Sequence, residues 1–405
     1  MEWKLKDLTV DGKGSYGIGA SAVPYQEDKL TYLRITDIND DGSLNFSDLK
    51  SVDAEDAEKY ILKENDIVFA RTGNSTGRSY FYEKQHGTFV YAGFLIKFSL
   101  DPNKVNPRIL KYYTHSKPYY DWVSSFDTGA TRGNINAKTY GDMEIELPSR
   151  KIQDRIVSIL SSLDWKIELN NKINADLEEM AQAIFKNWFV DFEPFKDGKF
   201  VDSELGMIPE GWKVGTLDEI ADIVGGSTPS KAKPEYYTQK GIAWLTPKDL
   251  SNHPAVYSSR GEIDITEEGY NSTSTKLMPK GTVLFTSRAP IGYISIAQND
   301  ICTNQGFKSV VPKKAGTCFL YCFLKYVTPE IENKSTGSTF KEASGALMKS
   351  LQVIMPEQKV FEEFEAIVSP LFTRIESLEQ ESSRLSLLRD TLLPRLMSGE
   401  LEVPE

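Results

Sequence analysis

Apolar residues recur every three or four positions over two long stretches of this chain. The first stretch runs from Ile152 to Phe189, and the second runs from Val360 to Leu396. A narrow apolar stripe of this length predicts a long helix that pairs with another helix, as in a coiled coil. The first seam consists of Ile156, Ile159, Leu163, Ile167, Asn170, Ile173, Leu177, Met180 and Ile184. The second consists of Val360, Phe364, Ile367, Leu371, Ile375, Leu378, Ser382, Leu385, Leu388, Leu392 and Leu396, so each helix finds a possible partner within the chain.

Three polar or proline positions interrupt these seams. Asn170 has two open interpretations: a buried side chain that sets the register of the helix pair, or a surface residue beside Asn171. Pro370 follows Ser369, so we expect a break or kink there with Ser369 as the N-cap. Pro394 is expected to end or bend the last turns.

The chain is also an imperfect tandem repeat with an offset of about 208–217 residues. Trp-Lys-Leu at 3–5 returns as Trp-Lys-Val at 212–214, and the strand-like segment at 65–71 returns at 281–288. Thr-Gly-Ala-Thr at 128–131 returns as Thr-Gly-Ser-Thr at 336–339. Ile-Glu-Leu-Pro at 145–148 returns as Val-Ile-Met-Pro at 353–356, and each copy then enters its long helix. A period of this size predicts a duplicated domain, because solenoid repeats are only about 20–50 residues long.

Each copy shows short apolar runs bounded by turn residues, which predict a mixed α/β domain and an overall α+β fold class. The strands predicted in the first copy are 32–35, 66–70 and 94–98, and their expected counterparts are 242–245, 282–286 and 293–297. Helices are predicted at 107–114 and 319–326. The Pro- and Gly-rich stretch between the copies predicts a linker. The expected division is a first domain at 1–150, a long helix at 151–190, a linker at 191–210, a second domain at 211–356 and a second long helix at 357–400.

The net charge of −11 at first argues against a nucleic-acid partner, but its distribution changes that interpretation. Residues 152–206 and 357–405 together carry 11 Lys or Arg and 22 Asp or Glu, whereas the rest of the chain carries 36 of each. The acidic excess therefore lies on the predicted helices and linker. Basic loops of the two domains remain able to approach a phosphate backbone.

Composition also limits the cellular setting and the chemistry. The sequence has no stretch of about 18 apolar residues and no apolar region after its first residues, so we expect neither a membrane span nor a secretory signal. Cys302, Cys318 and Cys322 are sparse and without neighbouring His residues, which favours reduced core thiols in a cytoplasmic protein rather than a disulfide framework or a zinc site.

No sequence pattern indicates catalysis. Gly12–Gly17 matches a dinucleotide-binding motif only by its letters, because neither a strand before it nor a helix after it is predicted. The sequence contains no P-loop, no Gly-x-Ser-x-Gly elbow and no Asn-Pro-Pro or Asp-Pro-Pro pair of the kind that amino-methyltransferases use. We therefore expect a chain without catalytic residues, metal or bound cofactor.

Two types of polar loop are better candidates for function. The loop at 70–79 follows a strand and matches 286–292, and the loop at 128–136 matches 335–341. Such loops are often only solvated turns, but their recurrence at matching places favours a binding role. Arg, Thr, Ser and Asn side chains are those that contact phosphates and base edges. The candidate DNA-binding residues are Arg71, Thr72, Asn74, Arg78, Thr131, Arg132 and Asn134 in the first domain, and Thr286, Ser287, Arg288, Ser338, Thr339 and Lys341 in the second.

The end of the first long helix is unusually aromatic. Phe185, Trp188 and Phe189 either belong to a local core or bind a partner protein.

Several stretches together resemble the specificity (S) subunits of type I restriction–modification enzymes. They are 208–213 (IPEGWK), 225–230 (GGSTPS), 159–174 (ILSSLDWKIELNNKIN), 183–189 (AIFKNWF) and 392–401 (LLPRLMSGEL). The likeness covers almost the whole chain. The helical motifs are the most specific, while the globular parts match in layout.

This resemblance implies two target recognition domains, each reading one half of a split double-stranded DNA sequence. The long helices would be antiparallel spacers that fix the distance between half-sites, and Leu392 and Leu396 join Phe185, Trp188 and Phe189 as expected partner contacts. Two methyltransferase (M) subunits and two motor-nuclease (R) subunits would supply the chemistry, with S-adenosylmethionine, ATP and Mg²⁺ in those subunits. An adaptor scaffold that binds proteins instead of DNA is the alternative, and a self-sufficient methyltransferase-nuclease fusion fails on length and missing motifs.

Overall fold

The computed structural model describes residues 2–46, 48–126, 133–288, 290–335 and 341–403. The chain divides into two compact units: the first contains residues 1–166 and 384–405, and the second contains residues 167–383. Each unit thus holds one repeated domain together with part of both long helices. This division differs from the predicted one, which set the helices apart, because the apolar seam of each helix segment packs into the core of its own unit.

The first unit consists of short strands and helices around one central strand. Its strands are β1 (Glu2–Lys4), β2 (Ser15–Tyr16), β3 (Ala22–Pro24), β4 (Thr31–Leu33), β5 (Lys50–Val52), β6 (Asp66–Ala70), β7 (Ser79–Phe81), β8 (Phe89–Tyr91), β9 (Leu95–Ser99) and β10 (Glu144–Glu146). Its α-helices are α1 (Pro107–Tyr113), α2 (Lys117–Ser124) and α3 (Ala137–Gly141), followed by the long helix α4 (Arg150–Phe189). Short 3-10 helices cover Leu5–Leu8, Ile35–Asp37, Ala57–Tyr60, Gly73–Ser75 and Lys84–His86.

The second unit repeats this plan, and two strands of its central sheet, β14 and β20, are longer than their counterparts in the first unit. Its strands are β11 (Phe200–Ser203), β12 (Gly206–Pro209), β13 (Lys213–Thr216), β14 (Ala221–Gly225), β15 (Tyr237–Thr238), β16 (Trp244–Leu245), β17 (Tyr257–Ser258), β18 (Asp264–Ile265), β19 (Val283–Ser287), β20 (Ile291–Ala297), β21 (Cys302–Thr303), β22 (Lys308–Pro312) and β23 (Gln352–Met355). Its helices are α5 (Leu217–Ile220), α6 (Pro247–Asn252), α7 (Glu267–Asn271), α8 (Thr317–Lys334), α9 (Gly345–Lys349) and the long α10 (Gln358–Met397), with 3-10 helices at Glu193–Phe195 and Pro234–Tyr236.

The two units share the order of their central sheets. In the first, the order is β2-β9-β6-β7, and in the second it is β14-β22-β19-β20-β17. Strand β9 therefore corresponds to β22, and β7 corresponds to β20. The predicted match between 94–98 and 293–297 is wrong, because β7 has only three residues and its apolar run is too short to identify it as a strand in the sequence.

The connection between the two copies is also more ordered than the predicted linker. Strands β11 and β12 form an antiparallel hairpin within it. Ile208 and Trp212 lie buried in the core of the second unit, so this segment packs as part of that unit.

Both long helices lie within three residues of their predicted bounds, 151–190 and 357–400. Helix α10 continues through Pro370, so the predicted break and the N-cap at Ser369 are wrong. Proline lacks the N–H that would bond to the carbonyl one turn earlier, and its ring crowds that carbonyl. Val368 and Phe372, which flank it, are fully buried, and their packing offsets this loss.

The helices pair in antiparallel fashion within the second unit. Asn170 of α4 contacts Ser382 of α10, whereas Phe185 contacts Phe364, so residue numbers rise along one helix as they fall along the other. In the first unit, Asp164 of α4 contacts Arg389 of α10.

Asn170 is fully buried, which rules out the interpretation as a surface residue. Its Nδ2 donates to Glu381 Oε2 at 2.9 Å and to Ser382 Oγ at 3.3 Å, while its Oδ1 has no hydrogen-bond partner among the described residues. A buried amide with one unsatisfied oxygen contributes little stability but restricts which residues can face each other.

We expect Asn170→Leu to leave the thermal stability of the chain equal or higher while permitting shifted helix pairings. Cysteine pairs placed at matched and shifted positions of 167–189 and 358–383 measure this by their cross-linking yields. Asn171→Leu, on the exposed neighbour, is the control and should give the native cross-link alone. If Asn170→Leu also gave the native cross-link alone, Asn170 would have no role in register.

Candidate nucleic-acid interface

The central strand of the first unit ends at Ala70, and the next residue is held by main-chain bonds on both sides. The Arg71 N–H donates to the Phe94 carbonyl at 3.0 Å, and the Arg71 carbonyl accepts from the Ile135 N–H at 3.0 Å. These bonds bring together the two loops that the repeat pattern selected. The structure thus places the end of the loop at 128–136 beside the start of the loop at 70–79.

The side chains at this place form what we call the first strand-end site: Tyr16, Arg71, Phe94 and Asn134. Arg71 Nε lies 3.4 Å from Asn134 Oδ1, and the Arg71 guanidinium lies over the Tyr16 ring, 5.0 Å from its centroid. The Tyr16 hydroxyl accepts from the Ala137 N–H at 3.1 Å, which fixes the ring. A guanidinium restrained by an aromatic face is preorganised for a phosphate or a guanine edge.

The second unit repeats the main-chain frame with different side chains. The Ser287 N–H donates to the Gly306 carbonyl at 2.7 Å, and the Ala343 N–H donates to the Ser287 carbonyl at 2.9 Å. Ser287 therefore occupies the position of Arg71, and Gly306 the position of Phe94.

Charged side chains surround this frame and form the second strand-end site: Arg288, Lys308 and Glu342. Arg288 Nη1 lies 3.7 Å from Glu342 Oε2, and Lys308 Nζ lies 3.4 Å from Glu342 Oε1. Glu342 holds the position that Asn134 has in the first unit, since each precedes the residue bonded to the strand end. Each site therefore pairs a cation with a hydrogen-bond acceptor.

Two predicted contacts of the second unit are structural. Thr286 and Ser287 are fully buried. The Thr286 hydroxyl donates to the Pro290 carbonyl at 2.8 Å and accepts from the Tyr293 N–H at 2.8 Å, while the Ser287 hydroxyl donates to the Gly306 carbonyl at 3.1 Å. The prediction that they contact DNA is wrong, because both hydroxyls are buried and bonded to main-chain groups of the same unit.

Arg78 also acts within the chain. Its Nε donates to Asp40 Oδ1 at 2.7 Å, and its Nη1 donates to the Ile38 carbonyl at 2.9 Å. These bonds attach the segment at 38–40 to the end of the loop at 70–79. The Arg78 guanidinium is therefore used in contacts within the chain.

The remaining candidates differ in their exposure. Thr72 is partly exposed, Asn74 and Asn134 are exposed, and Lys341 is exposed with its Nζ 3.3 Å from the Glu332 carbonyl. These four stay predictions. Four further candidates lie outside the described residues: Thr131, Arg132, Ser338 and Thr339.

Sequence reasoning missed Tyr16, Phe94, Lys308 and Glu342. Tyr16, Phe94 and Lys308 lie far along the chain from the loop that they join, and strand register brings them there. Glu342 directly follows the candidate loop at 335–341, and the repeat offset that aligns 128–131 with 336–339 also aligns it with Asn134, which was an available signal.

The predicted partner contacts are largely core residues. Phe185 and Phe189 are buried in the second unit, where Trp188 packs partly buried against the same core. Leu396 is buried and Leu392 partly buried in the core of the first unit. The expectation that Phe185, Phe189 and Leu396 present a partner surface is wrong. These residues belong to a local core, because their side chains are covered by their own unit.

The described residues contain no cluster of three or more His, Cys, Asp or Glu side chains that could hold a metal ion. Cys302, Cys318 and Cys322 are buried free thiols, as predicted. Among the helices that the structure describes, none is long and apolar enough to cross a membrane.

Comparisons with known proteins agree on one family. The family model of the type I restriction modification DNA specificity domain matches residues 6–179 and again 209–386. The MjaIX specificity subunit of Methanocaldococcus jannaschii is 38% identical over 190 residues, which cover 46% of this chain and 44% of that protein, less than half its length. The HindI specificity subunit of Haemophilus influenzae is 25% identical over 407 residues, covering 85% of this chain and 88% of the relative.

One solved structure has the same fold. The S subunit of the type I restriction–modification system from M. genitalium aligns over 100% of this chain and 96% of its own, with a TM-score of 0.57 and 18% identity. The duplicated architecture is therefore that of a known structural class.

Proposed function

The chain belongs to the family of type I restriction modification DNA specificity domains, which its two halves match separately, and from this premise we propose that each unit reads one half of a two-part double-stranded DNA target. The observation that carries the proposal is the pair of strand-end sites. The same main-chain frame recurs in both units and presents a cation beside a hydrogen-bond acceptor, while the side chains differ. A constant frame with variable side chains suits two readers of different sequences.

The chemistry of each site supports direct readout. Arg71 is suited to the two acceptors on guanine or to a phosphate, and Asn134 to the donor and acceptor of adenine. In the second unit, Glu342 can accept from the exocyclic amine of cytosine while Arg288 and Lys308 neutralise its charge and face phosphates.

The chain is a specificity subunit without catalysis of its own. We place S-adenosylmethionine in two methyltransferase subunits that dock on it, and ATP and Mg²⁺ in two motor-nuclease subunits. An adenine inside a duplex must be flipped out before its amino group can be methylated, and the partner rather than this chain does this. The long helices, each 40 residues and about 60 Å long, would set the half-site distance.

The test is to produce this chain together with a methyltransferase subunit from the same genome and to sequence the methylated DNA. We expect a two-part N6-methyladenine motif that appears only when both chains are present. A complex that forms without new methylation, or no complex at all, would contradict the proposal and favour the adaptor alternative.

Arg71→Ala should weaken binding of the assembled complex to its cognate duplex by about 1–3 kcal/mol, because a bidentate contact is lost. Fluorescence anisotropy against the cognate duplex and a duplex with a scrambled first half-site measures this. A guanine contact predicts a lower specificity ratio, whereas a phosphate contact predicts equal losses on both duplexes and a salt slope smaller by about 1.

Arg78→Ala is the matched control from the same loop. Because its guanidinium is bonded to Asp40 and Ile38, we expect DNA binding to change little. Equal losses in the two variants would mean that the loop as a whole, and not the Arg71 side chain, carries the contact.

A further inference from the structure

A large aromatic ring stands exposed in the first strand-end site. Phe94 lies at the bend before β9 and is 59% exposed. Its carbonyl accepts the Arg71 N–H, so the backbone of Phe94 lies beside that of Arg71. Among the residues that the structure describes, no aromatic ring packs against it. The ring is therefore available to contact a bound molecule.

The surroundings of Phe94 indicate what it contacts. Tyr16, 43% exposed, and the Arg71 guanidinium above it lie in the same site. Aromatic rings beside an arginine bind single-stranded nucleic acid through stacked bases and phosphates, and a phenylalanine ring can also wedge between the base steps of a duplex. A protein-binding patch would instead need a group of exposed apolar neighbours, and the other residues of this site are Tyr16, Arg71 and Asn134.

The second unit shows that the fold does not need these rings. Gly306 holds the position of Phe94. Tyr16 pairs with Ile96 of β9, and Gly225 pairs with the corresponding residue of β22, Lys308. Gly225 therefore holds the position of Tyr16. A Cβ on Gly306 would lie 2.6 Å from Pro247 Cγ, so no side chain fits there. The same frame therefore forms without an aromatic side chain, and Phe94 serves something other than folding.

We propose that Phe94 inserts between two base steps of the first half-site and stacks on the base that this exposes, so that the first unit holds its target partly by aromatic stacking and the second does not. This inference rests on the proposed function and extends it. Stacking is tolerant of base identity, so Phe94 supplies affinity and position, while Arg71 and Asn134 supply discrimination.

The test uses the complex with the methyltransferase subunit and its cognate duplex. Phe94→Ala should weaken binding about 5- to 100-fold without changing the salt slope, because a stacked base is lost but no phosphate contact is lost. Phe94→Trp should bind as well as the parent chain, and Phe94→Leu should fall between the parent chain and Phe94→Ala. The control is Phe46→Ala, another half-exposed phenylalanine of the first unit, which should bind normally.

Two results would overturn the proposal. If Phe94→Leu or Phe94→Ala bound DNA as tightly as the parent chain, the ring would not stack on a base. If Phe94→Ala failed to assemble with the methyltransferase subunit in the absence of DNA, the ring would be a protein contact. Failure of the proposed function itself looks different, since the parent complex would then not distinguish cognate from scrambled duplex.

Discussion

Replacing Phe189 with Ala is expected to lower the free energy of unfolding of the second unit by about 3–5 kcal/mol. The ring is 5% exposed, at the end of α4. Its centroid lies 4.9 Å from that of Phe319 and 5.1 Å from that of Phe364, both at steep angles, and 6.0 Å from that of Trp212. Removal leaves a cavity among rigid rings that cannot collapse to fill it.

Urea denaturation of the chain measures this change. Met180→Ala is the control on the same helix, since Met180 is 52% exposed, and its substitution should cost less than about 1 kcal/mol. Unchanged stability of Phe189→Ala with loss of a bound partner subunit would show that Phe189 is a partner contact after all.

The sequence predicted the long helices but did not show whether the aromatic residues at the end of α4 face a core or a partner protein. The spacing of apolar residues predicted both long helices closely, because that pattern is local. Whether Phe185 and Phe189 face a core or a partner depends on α8 and α10, which lie far along the chain. Periodicity gives the face of a helix but not what covers it.

The sequence likewise predicted only part of the candidate site. Repeated loops identified Arg71 and Arg288, because duplication leaves a record in the sequence itself. The burial of Thr286 and Ser287 follows from strand register. Their hydroxyls suit a base contact as well as a loop bond, and composition alone does not separate these two uses.

Register also explains the missed residues. Lys308 and Glu342 are separated by 34 residues in the chain yet lie 3.4 Å apart, because β22 runs beside β19 and the loop before α9 bonds to the end of β19. Long-range pairing of this kind has no local signature.

Asp164 joins three elements of the first unit, and its replacement should have the second large effect. Its carboxylate lies 3.1 Å from Lys111 Nζ, 3.0 Å from Arg389 Nη1 and 3.0 Å from the Tyr112 hydroxyl. The side chain is only 16% exposed. We expect Asp164→Asn to lower the free energy of unfolding of the first unit by about 2–3 kcal/mol at pH 7, because two cations would lose their shared anion.

The control is Asp390→Asn. Asp390 Oδ1 lies 2.9 Å from the same guanidinium, but the Asp390 side chain is 61% exposed. A solvent-exposed pair contributes about 0–1 kcal/mol, so this substitution should change little. The comparison separates the effect of burial from the effect of losing a carboxylate beside Arg389.

The effect of Asp164 should depend on pH in a defined direction. Burial alone would raise the pKa of this carboxyl, but Lys111 and Arg389 outweigh burial and hold its pKa below the usual 3.8. A lowered pKa in the folded state means that the carboxylate stabilises the fold above the unfolded pKa, and this stability is lost as the pH falls through the folded pKa. The difference between the parent chain and Asp164→Asn should therefore be full at pH 6–7 and shrink below about pH 4. A difference that persisted unchanged in acid would mean that Asp164 acts through packing and hydrogen bonds, because a protonated carboxyl keeps those contacts and loses only its charge.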